Sequence, residues 1–512
     1  MTMTTRRALL QGGAALAAYA MLPASPILAA TKSTGSPLPL RAVKRTLEVK
    51  GRAATVYGLT GPSGSGLTLD AGQQFQVNLT NELDEPTLIH WHGQIPPNVQ
   101  DGVPDMPLPA LRPGESRAYD FAPRTGTFWM HSHIPFQEMQ LLAAPLIVRS
   151  AAEMQEDRQD VVMLLHDFSF RSPEEVMAAI SGGHGGGHGS GHGGAHGNGH
   201  AGHGGNGHGG GHDAGQMTMG AMNMGSMGMS SMGMGSMNMA GMDLNDYDWD
   251  AYLANDRTLD DPQVVQVEKG GRVRLRIINA SAATVFWIET GALAGRLTAV
   301  DGDPVEPLAG SRFGIAMGQR LDIELDLPAA TESWPILARR EGAREQTGLI
   351  LATAGASVGK LPDMGATEAP AFDTDLSQES RLRAAHPLPQ RPADRQMMVM
   401  LGGTMQPYVW TINGAVWGQH QPLEAVSGER VEITFHNMSM MGHPMHLHGH
   451  VFQVVALNGQ PLAGALRDTV YVPPMAMVTV ALDAGEAASW MLHCHHMPHL
   501  VTGMMTEFQL RA

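Results

Sequence analysis

The segment "HCHHMPH", residues 493–499, places four histidines around the only cysteine of the 512-residue chain. A lone cysteine cannot form an internal disulfide, so Cys494 is a buried apolar side chain, a reactive nucleophile or a metal ligand. Imidazole and thiolate groups this close in sequence favour the metal ligand. We therefore expect a metal site at this segment.

The chain also contains four His-x-His pairs. Alternate residues of a β-strand point to the same side, so a pair on a strand directs two imidazoles toward one point and the middle residue away. Imidazole suits copper, zinc, iron or nickel, and the number of histidines alone does not choose among them. The pairs are His90 with His92, His131 with His133, His446 with His448, and His493 with His495.

The same alternation predicts a second, separate site. If the histidines on either side of Cys494 face the histidine cluster, the thiol faces away from it. His443 has the parity needed to point toward the thiol, and His499 and Met504 can reach it from the following loop. Histidine, cysteine, histidine and a weak thioether form the ligand set of a blue electron-transfer copper.

The N-terminal part of the chain provides an internal comparison for this second site. Its motif "GTFWMHSH" aligns with "ASWMLHCH" near the C-terminus. All four ligand types are absent together at the corresponding positions, as expected if they act as one site. Those positions hold Thr87, Ser132, Gln137 and Leu142.

A threefold repeat predicts the elements that position these residues. The segments "GQQFQVNLTN", "GGRVRLRIIN" and "GERVEITFHN" begin at Gly72, Gly270 and Gly428, and each ends in asparagine. Apolar residues occupy alternate positions in each copy, which predicts a strand with one buried face. Three copies indicate three related β domains.

The repeat register also separates the three domains by function. Nine residues after the repeat asparagine, the first domain has "HWHG" and the third has "HLHG", whereas the middle domain has "IETG". We therefore expect the first and third domains to supply the ligands and the middle domain to supply none.

The motifs "HWHG", "HSH", "HPMHLHGH" and "HCHHMPHLVTGMM" resemble those of the multicopper oxidases, the laccase and copper-efflux oxidase family. The resemblance implies an all-β chain of three cupredoxin-like Greek-key β-sandwich domains. We place these domains at residues 40–150, 158–355 and 396–512, with a linker at 356–395.

The resemblance also implies four copper ions per chain. A type 1 copper would be held by His443, Cys494, His499 and Met504. A trinuclear cluster would have type 2 copper on His90 and His446, and a type 3 pair on His92, His131, His133, His448, His493 and His495. Electrons from a donor would pass through Cys494 to this cluster, where dioxygen is reduced to water.

The proton supply for that reduction is predicted in the segment "NVQDGVP". Asp101 matches a family carboxylate that relays protons, and the alternative is a turn residue before Gly102. Some copper-efflux oxidases carry an acidic residue just after the second type 1 histidine. This chain has Leu500 there.

The donor is the least constrained part of the prediction. Met440 and Met441 in "MSMMGH" favour Cu(I), although Ser439 stands where copper-efflux oxidases have an acidic residue. The alternative is a laccase that oxidises phenols and aromatic amines. A copper-sequestering protein without turnover is disfavoured because storage needs no site for four-electron chemistry.

An insertion at residues 182–242 contains eight histidines followed by eleven methionines, in a background of small and polar residues. Without one Val, Ile, Leu, Phe, Trp or Tyr it cannot bury enough apolar surface to offset its ordering entropy, so we expect it to be disordered. Imidazole suits Cu(II) and thioether suits Cu(I), which favours copper capture over an inert spacer.

The N-terminus and composition predict location and partners. Arg6 and Arg7, followed by a short apolar run, indicate a twin-arginine export signal at residues 1–30 and a periplasmic protein. A formal net charge of −16 argues against nucleic-acid binding. We also expect no membrane span, and a monomer. The remaining histidines carry no motif and are predicted not to be ligands: His166, His386, His420, His436, His450 and His496.

Overall fold

The repeated segments form strands at Phe75–Asn81, Arg272–Asn279 and Arg430–Asn437. In the first and last strands, buried residues alternate with more exposed ones over most of the length, which confirms the predicted period. The prediction of one buried face is wrong for the middle strand, where every residue after Arg272 is buried.

The middle strand is buried on both faces because its polar face lies beneath acidic side chains. Arg274 and Arg276 are only 5% and 0% exposed. Both guanidinium groups form ion pairs with Glu153 and Asp160. Paired charges can be buried, so alternating polarity does not imply alternating exposure here.

The computed structural model describes residues 36–182, 244 and 246–512. The predicted export signal and almost all of the predicted insertion, residues 183–242, lie outside the described residues. Among the helices that are described, none has the length and apolar character needed to cross a membrane.

The strands form three consecutive pairs of sheets along the chain. In the first pair, one sheet has the order Gly64–Ser65, Arg52–Gly61, Leu38–Val49, Phe75–Asn81, Ser116–Phe121. Its partner has the order Leu67–Leu69, Ala143–Val148, Gly126–Ser132, Ile89–His92.

The middle pair has a six-stranded and a five-stranded sheet. The first has the order Ala251–Ala254, Gln159–Phe168, Arg272–Asn279, Arg320–Asp326, Gly295–Val300, Asp303–Gly310. The second has the order Val264–Val267, Gln346–Thr353, Ser333–Arg340, Phe286–Glu289, Arg312–Ile315.

The last pair carries most of the metal-site candidates. One sheet has the order Tyr408–Ile412, Arg395–Met405, Arg430–Asn437, Met477–Asp483, Phe452–Leu457, Gln460–Pro461, and Leu466–Arg467 also pairs with Phe452–Leu457. The other has the order Leu423–Val426, Met505–Arg511, Ser489–Cys494, His443–Leu447, Thr469–Val472.

Helices are short in the described residues. The α-helices are Pro173–Ser181, which begins in a capping box at Ser172, and Met497–Val501. The 3₁₀ helices are Asn98–Gln100, Glu153–Gln155 and Glu379–Arg381.

The repeat asparagines hold the loops that follow each repeat strand. Asn81, Asn279 and Asn437 are all fully buried. Each donates its side-chain amide to one carbonyl group in the loop that follows and to one or more carbonyl groups of another segment, and accepts from the backbone N–H two residues on. The asparagine repeat therefore marks a loop anchor rather than a ligand position.

Candidate metal centres

Antiparallel pairing places the His-x-His motifs opposite each other within each domain. In the first domain, His90 lies opposite His131 across neighbouring strands. In the third domain, His446 lies opposite His493. Each domain thus presents four imidazoles at one end of a sheet.

The two sets of histidines meet face to face. The His90 and His448 rings stack with centroids 3.7 Å apart, and the His92 and His446 rings stack at 3.7 Å. The Nε2 atoms of His90 and His446 are 3.3 Å apart. The structure therefore brings all four pairs together into one interdomain cluster.

Two groups of three histidines lie within this cluster. In the first, the Nε2 atom of His493 is 3.1 Å from that of His448 and 3.5 Å from that of His133. The second group consists of His92, His131 and His495, with ring centroids 5.0, 5.1 and 5.6 Å apart.

The hydrogen bonds of these rings fit a bound cation. Nδ1 of His90 faces the Asp101 carbonyl at 2.9 Å, and Nδ1 of His446 faces the Asp468 carbonyl at 2.9 Å. A carbonyl only accepts, so each Nδ1 carries the proton and two Nε2 lone pairs face each other. Two lone pairs at this distance repel unless a cation lies between them. The donor set therefore fits a metal ion.

Burial keeps the cluster in the metal-binding protonation state. Desolvation lowers the pKa of His448 well below its usual value, and it lowers the pKa of His493 to about 3. Neutral imidazoles keep a lone pair for a metal. Four buried ring nitrogens of the cluster have no hydrogen-bond partner among the described residues. They are Nδ1 of His92, Nε2 of His131, and both ring nitrogens of His495.

Cys494 lies at a second site, as its parity predicts. Its Sγ atom is 3.7 Å from Nδ1 of His443 and 3.7 Å from Nδ1 of His499. Those two nitrogens are 3.1 Å apart. Met504 is fully buried, and its backbone hydrogen-bonds to Cys494 and His499. One thiol and two imidazoles thus converge. The backbone hydrogen bonds hold Met504 next to them.

Burial raises the pKa of the Cys494 thiol above its ordinary range, because the thiolate is disfavoured away from water. The backbone N–H at His496 opposes this rise. A metal ion would therefore have to displace the thiol proton on binding, as metal–thiolate formation generally does.

The first domain fills the equivalent position with hydrogen bonds instead. Oε1 of Gln137 accepts from the Thr87 hydroxyl at 2.7 Å and from the Ser132 hydroxyl at 2.7 Å. Leu142 is buried nearby in the same core. This closed polar network has no soft ligand, which explains physically why the first domain lacks a counterpart of the Cys494 site.

Asp101 lies in a turn and contacts the histidine cluster. It follows the 3₁₀ helix Asn98–Gln100 and is 2% exposed. Its Oδ2 atom accepts from Nδ1 of His448 at 2.8 Å, and its Oδ1 atom lies 3.4 Å from Nδ1 of His90. The residue therefore occupies both positions considered from the sequence, a turn and a contact with the cluster.

Sequence reasoning missed several residues that contact these sites. Asp246 contacts the Cys494 site: its Oδ2 atom accepts from the Tyr408 hydroxyl and lies 3.5 Å from Nε2 of His499. His496 stacks on His499 with centroids 3.8 Å apart. Asp246 and Tyr408 are far from Cys494 in sequence and belong to no motif. His496 lies within "HCHHMPH", and that position was the available signal for it.

A buried carboxylate, Glu138, was also missed. Its Oε2 atom is 3.0 Å from Nδ1 of His131, and its Oε1 atom is 3.7 Å from Nδ1 of His495. Burial raises its pKa well above the usual value. Glu138 and Leu500 both line a mostly apolar cavity of about 220 Å³ that reaches the cluster. An acidic residue of the first domain thus lines the same cavity as Leu500.

Two of the remaining histidines have structural partners. Nδ1 of His450 donates to the His448 carbonyl, and its Nε2 accepts from the Gly485 N–H. Nδ1 of His166 donates to the Ala280 carbonyl. These contacts agree with their prediction as non-ligands.

Comparisons with known proteins place the chain in a family. Models of the multicopper oxidase family match residues 44–153, 206–356 and 390–512. The chain belongs to the multicopper oxidase family. Multicopper oxidases are copper-dependent oxidoreductases, so the predicted family, enzyme class and cofactor element are confirmed.

Two curated relatives and one solved structure illustrate this likeness. Multicopper oxidase MmcO of Mycobacterium tuberculosis is 29% identical over 466 residues, covering 88% of this chain and 82% of its own. A copper resistance protein A homolog of Pseudomonas syringae pv. tomato is 24% identical over 569 residues, covering 93% and 92%. The structure of Fet3p, a multicopper oxidase that functions in iron import, is 15% identical with a TM-score of 0.70, covering 92% of this chain and 90% of that one. The predicted cupredoxin fold is confirmed.

Proposed function

We propose that this multicopper oxidase oxidises Cu(I) to Cu(II) and reduces dioxygen to water. Four Cu(I) ions and four protons are consumed for each dioxygen, which yields two waters. The observation that carries this choice of donor is a small cavity beside the Cys494 site, lined by thioethers and too small for an aromatic ring.

The proposed resident copper ions would be held as follows. One ion would be held by His443, Cys494, His499 and Met504. A second would be held by His90 and His446, and the two remaining ions would be held by the groups His133, His448, His493 and His92, His131, His495. Bound copper supplies one-electron redox chemistry and a centre that delivers four electrons to dioxygen.

The donor cavity has a volume of about 10 Å³. Such a space is about that of one water molecule, whereas a cavity that holds a benzene ring is on the order of 150 Å³. His443 and His499 are themselves fully buried. The cavity lined by Met317, Met441 and His496 thus fits a single ion rather than a phenol.

The cavity lining suits Cu(I) in particular. Met317 and Met441 supply thioethers, the soft donors that Cu(I) prefers. His496 lines the same cavity and stacks on His499, so a donor ion bound there would be separated from the Cys494 site by one imidazole. Burial raises the pKa of Glu341, another lining residue, to about 8, so a cation bound there would favour its charged form.

Protons for dioxygen reduction would be held at Asp101. Its Oδ2 atom contacts His448, and its carbonyl contacts His90, so one residue touches two imidazoles of the cluster. We expect the carboxyl group to carry protons to the reduced oxygen, and the backbone to orient the ring of His90.

The donor proposal predicts that Met441→Leu raises KM for Cu(I) about tenfold, the equivalent of about 1.4 kcal/mol. Leucine keeps the volume of methionine but offers no sulfur ligand. Steady-state oxygen uptake should show the change with Cu(I) as donor and unchanged kcat/KM with a phenol.

Met440→Leu is the matched control. Met440 is adjacent in sequence, 46% exposed and not a lining residue. Equal loss with Cu(I) in both variants, or no loss in either, would contradict the donor site. A parent enzyme with a far higher kcat/KM for phenols than for Cu(I) would favour the laccase alternative.

A separate prediction concerns the insertion. We expect deletion of residues 182–242, with a short Gly/Ser link, to leave four coppers bound and phenol turnover near that of the parent. Loop-closure free energy changes by only about 0.6 kcal/mol per doubling of loop length. Cu(I) oxidation should fall at low free copper and recover at high copper, because tethered thioethers raise the local ion concentration.

The control for this deletion is an insertion of the same length built from Gly, Ser and Asn without His or Met. If it supports Cu(I) oxidation as well as the parent at every copper concentration, the native segment is a spacer. A collapse of phenol turnover in the deletion would show instead that these residues belong to the enzyme core.

The proposed location is the periplasm, reached by the twin-arginine route. Arg6 and Arg7 support this proposal from the sequence, and the copper resistance relatives agree with a role in copper tolerance.

A further inference from the structure

The middle domain contributes no predicted ligand, yet one of its turns packs against the histidine cluster. The turn runs from Ala316 to Gln319 and leads into the strand Arg320–Asp326. Asn279, the repeat asparagine of this domain, holds the turn: its carbonyl accepts from the Gly318 N–H at 2.9 Å. The turn is thus anchored to the core of the middle domain.

Gly318 lies directly against two imidazoles. Its φ is +80°, and a Cβ atom at this position would lie 2.8 Å from Cδ2 of His495 and 3.3 Å from Cε1 of His92. Both distances are shorter than ordinary carbon contacts, so no side chain fits without displacing the rings. These two histidines belong to the same group of three.

Arg320 is a fully buried guanidinium whose hydrogen-bond donors are all used. Nε donates to the Thr127 carbonyl, Nη1 to the Gly318 carbonyl, and Nη2 to the Asp301 carbonyl. The remaining two N–H groups bind both carboxylate oxygens of Asp468. One side chain therefore ties the first, middle and third domains together beneath the cluster.

Asp468 connects Arg320 to two imidazoles of the cluster through hydrogen bonds. Its Oδ1 atom accepts from Nε2 of His92 at 3.1 Å, and its carbonyl accepts from Nδ1 of His446 at 2.9 Å. The Thr469 hydroxyl donates to the same Oδ1 atom at 2.8 Å. Because Nε2 of His92 carries the proton, Nδ1 is left to face the cluster, and it has no hydrogen-bond partner among the described residues.

His92 therefore presents a different nitrogen from its neighbours in the cluster. His90, His446, His448 and His493 all hydrogen-bond outward through Nδ1 and direct Nε2 inward. An imidazole turned the opposite way needs an acceptor fixed on its Nε2 side. Two acceptors stand there: the Asp468 carboxylate, held at both oxygens by Arg320, and the Thr469 hydroxyl oxygen, which lies 3.0 Å from Nε2 and itself donates to Asp468.

We propose that Gly318 and Arg320 are positioning residues through which the middle domain sets the orientation of His92 and His495, and so the copper affinity of the group His92, His131 and His495. Gly318 leaves room for the two rings, and Arg320 aims the Asp468 carboxylate at His92. This inference rests on the proposed assignment of copper to the cluster histidines. Outer hydrogen-bond partners of metal ligands typically change metal affinity about 10- to 100-fold.

The first test is Gly318→Ala, with Gly270→Ala as the matched control. Gly270 is in the same domain and has φ +68°, but its nearest foreign atom to a Cβ is 3.6 Å away, an ordinary contact. Both glycines have a positive φ, so alanine strains the backbone in each variant, and only the first variant crowds the cluster. We expect Gly318→Ala to bind one copper fewer per folded chain, while Gly270→Ala binds the parent number.

The second test is Arg320→Lys, with Arg276→Lys as its control. Lysine keeps the charge but lacks the planar fork that holds both oxygens of Asp468. Arg276 is equally buried in the middle domain and also contacts Thr127, but it pairs with Asp322, Glu153 and Asp160 rather than with Asp468. We expect copper loss in Arg320→Lys and not in Arg276→Lys.

The readouts are copper per folded chain by elemental analysis and the EPR spectrum of the oxidised protein. A coupled pair of Cu(II) ions is EPR-silent, so loss of one member makes the other visible. A new Cu(II) signal in Gly318→Ala and Arg320→Lys, absent from both controls, supports the proposal. A merely structural role would lower the melting temperature of variant and control alike without this signal.

Parent copper content and an unchanged EPR spectrum in folded Gly318→Ala and Arg320→Lys would overturn the positioning role. If one variant does not fold, the other decides, and the folded fraction of either is sufficient because copper is counted per folded chain. Failure of the proposed function is distinguishable, since it would appear in the parent enzyme as absent cluster copper or absent Cu(I) oxidation.

Discussion

Cys494→Ser is expected to abolish the blue thiolate absorption and nearly all turnover while copper still loads at the eight-histidine cluster. The Sγ atom lies 3.7 Å from each of His443 Nδ1 and His499 Nδ1. Because Cys494 is the only cysteine of the chain, no other residue can supply a thiolate at this site. A serine hydroxyl is a hard, weakly acidic ligand that does not replace a thiolate. The cluster imidazoles lie on the side of the strand opposite to the Cys494 thiol, so we expect them to keep their hydrogen bonds.

Absorption spectra, copper counts and oxygen uptake measure this effect. The first domain already shows that serine is tolerated structurally at the equivalent position, since Ser132 is buried and hydrogen-bonded to Gln137 there. A matched control is Met491→Leu, three residues upstream on the same strand, which alters no proposed ligand. A blue and active Cys494→Ser protein would refute the assignment of this site.

Asp101→Asn is expected to slow reoxidation by dioxygen about 10- to 100-fold while leaving reduction by the donor unchanged. Asparagine has nearly the same shape and keeps an oxygen that can accept from Nδ1 of His448, so copper should stay bound. It cannot hold an exchangeable acidic proton, and only the reduction of dioxygen consumes protons. The backbone carbonyl that orients His90 is unaffected.

The measurement is stopped-flow: the enzyme is reduced without oxygen and then mixed with oxygenated buffer. Asp105→Asn serves as the control, because Asp105 lies in the same loop but is exposed and has φ +62°, which asparagine tolerates. Identical reoxidation rates for Asp101→Asn and the parent would leave Asp101 with its turn role alone.

Several features of the sites were predictable because they depend on local rules. Strand alternation places residues i and i+2 on one side, so the His-x-His pairs and the opposite direction of Cys494 follow from spacing alone. The threefold repeat then identifies which domains carry histidines and which does not. The resemblance to the multicopper oxidases adds the pairing of His90 with His446, which the 3.3 Å distance between their nitrogens matches.

Other features could not be predicted, because they depend on contacts between distant segments. Asp246 lies more than 200 residues from His499 in sequence, and Asp468 lies more than 300 from His92. Each is a single acidic residue with no distinctive neighbours. The arginines that alternate along Arg272–Asn279 likewise predict a solvent-exposed face. That face is buried in the structure because acidic groups from another segment cover it.

The sequence by itself thus determined the repeat, the strands that carry or lead into most of the ligand candidates, and the side that the candidates on those strands face, because side-chain parity and repeat register are properties of short segments. Only the tertiary structure decided which nitrogen each imidazole presents, which carboxylates reach the cluster and how the ligand-free middle domain contacts it. These depend on where hydrogen-bond partners from three domains meet in a water-excluded interior, where every buried polar group needs a partner supplied by packing rather than by sequence proximity.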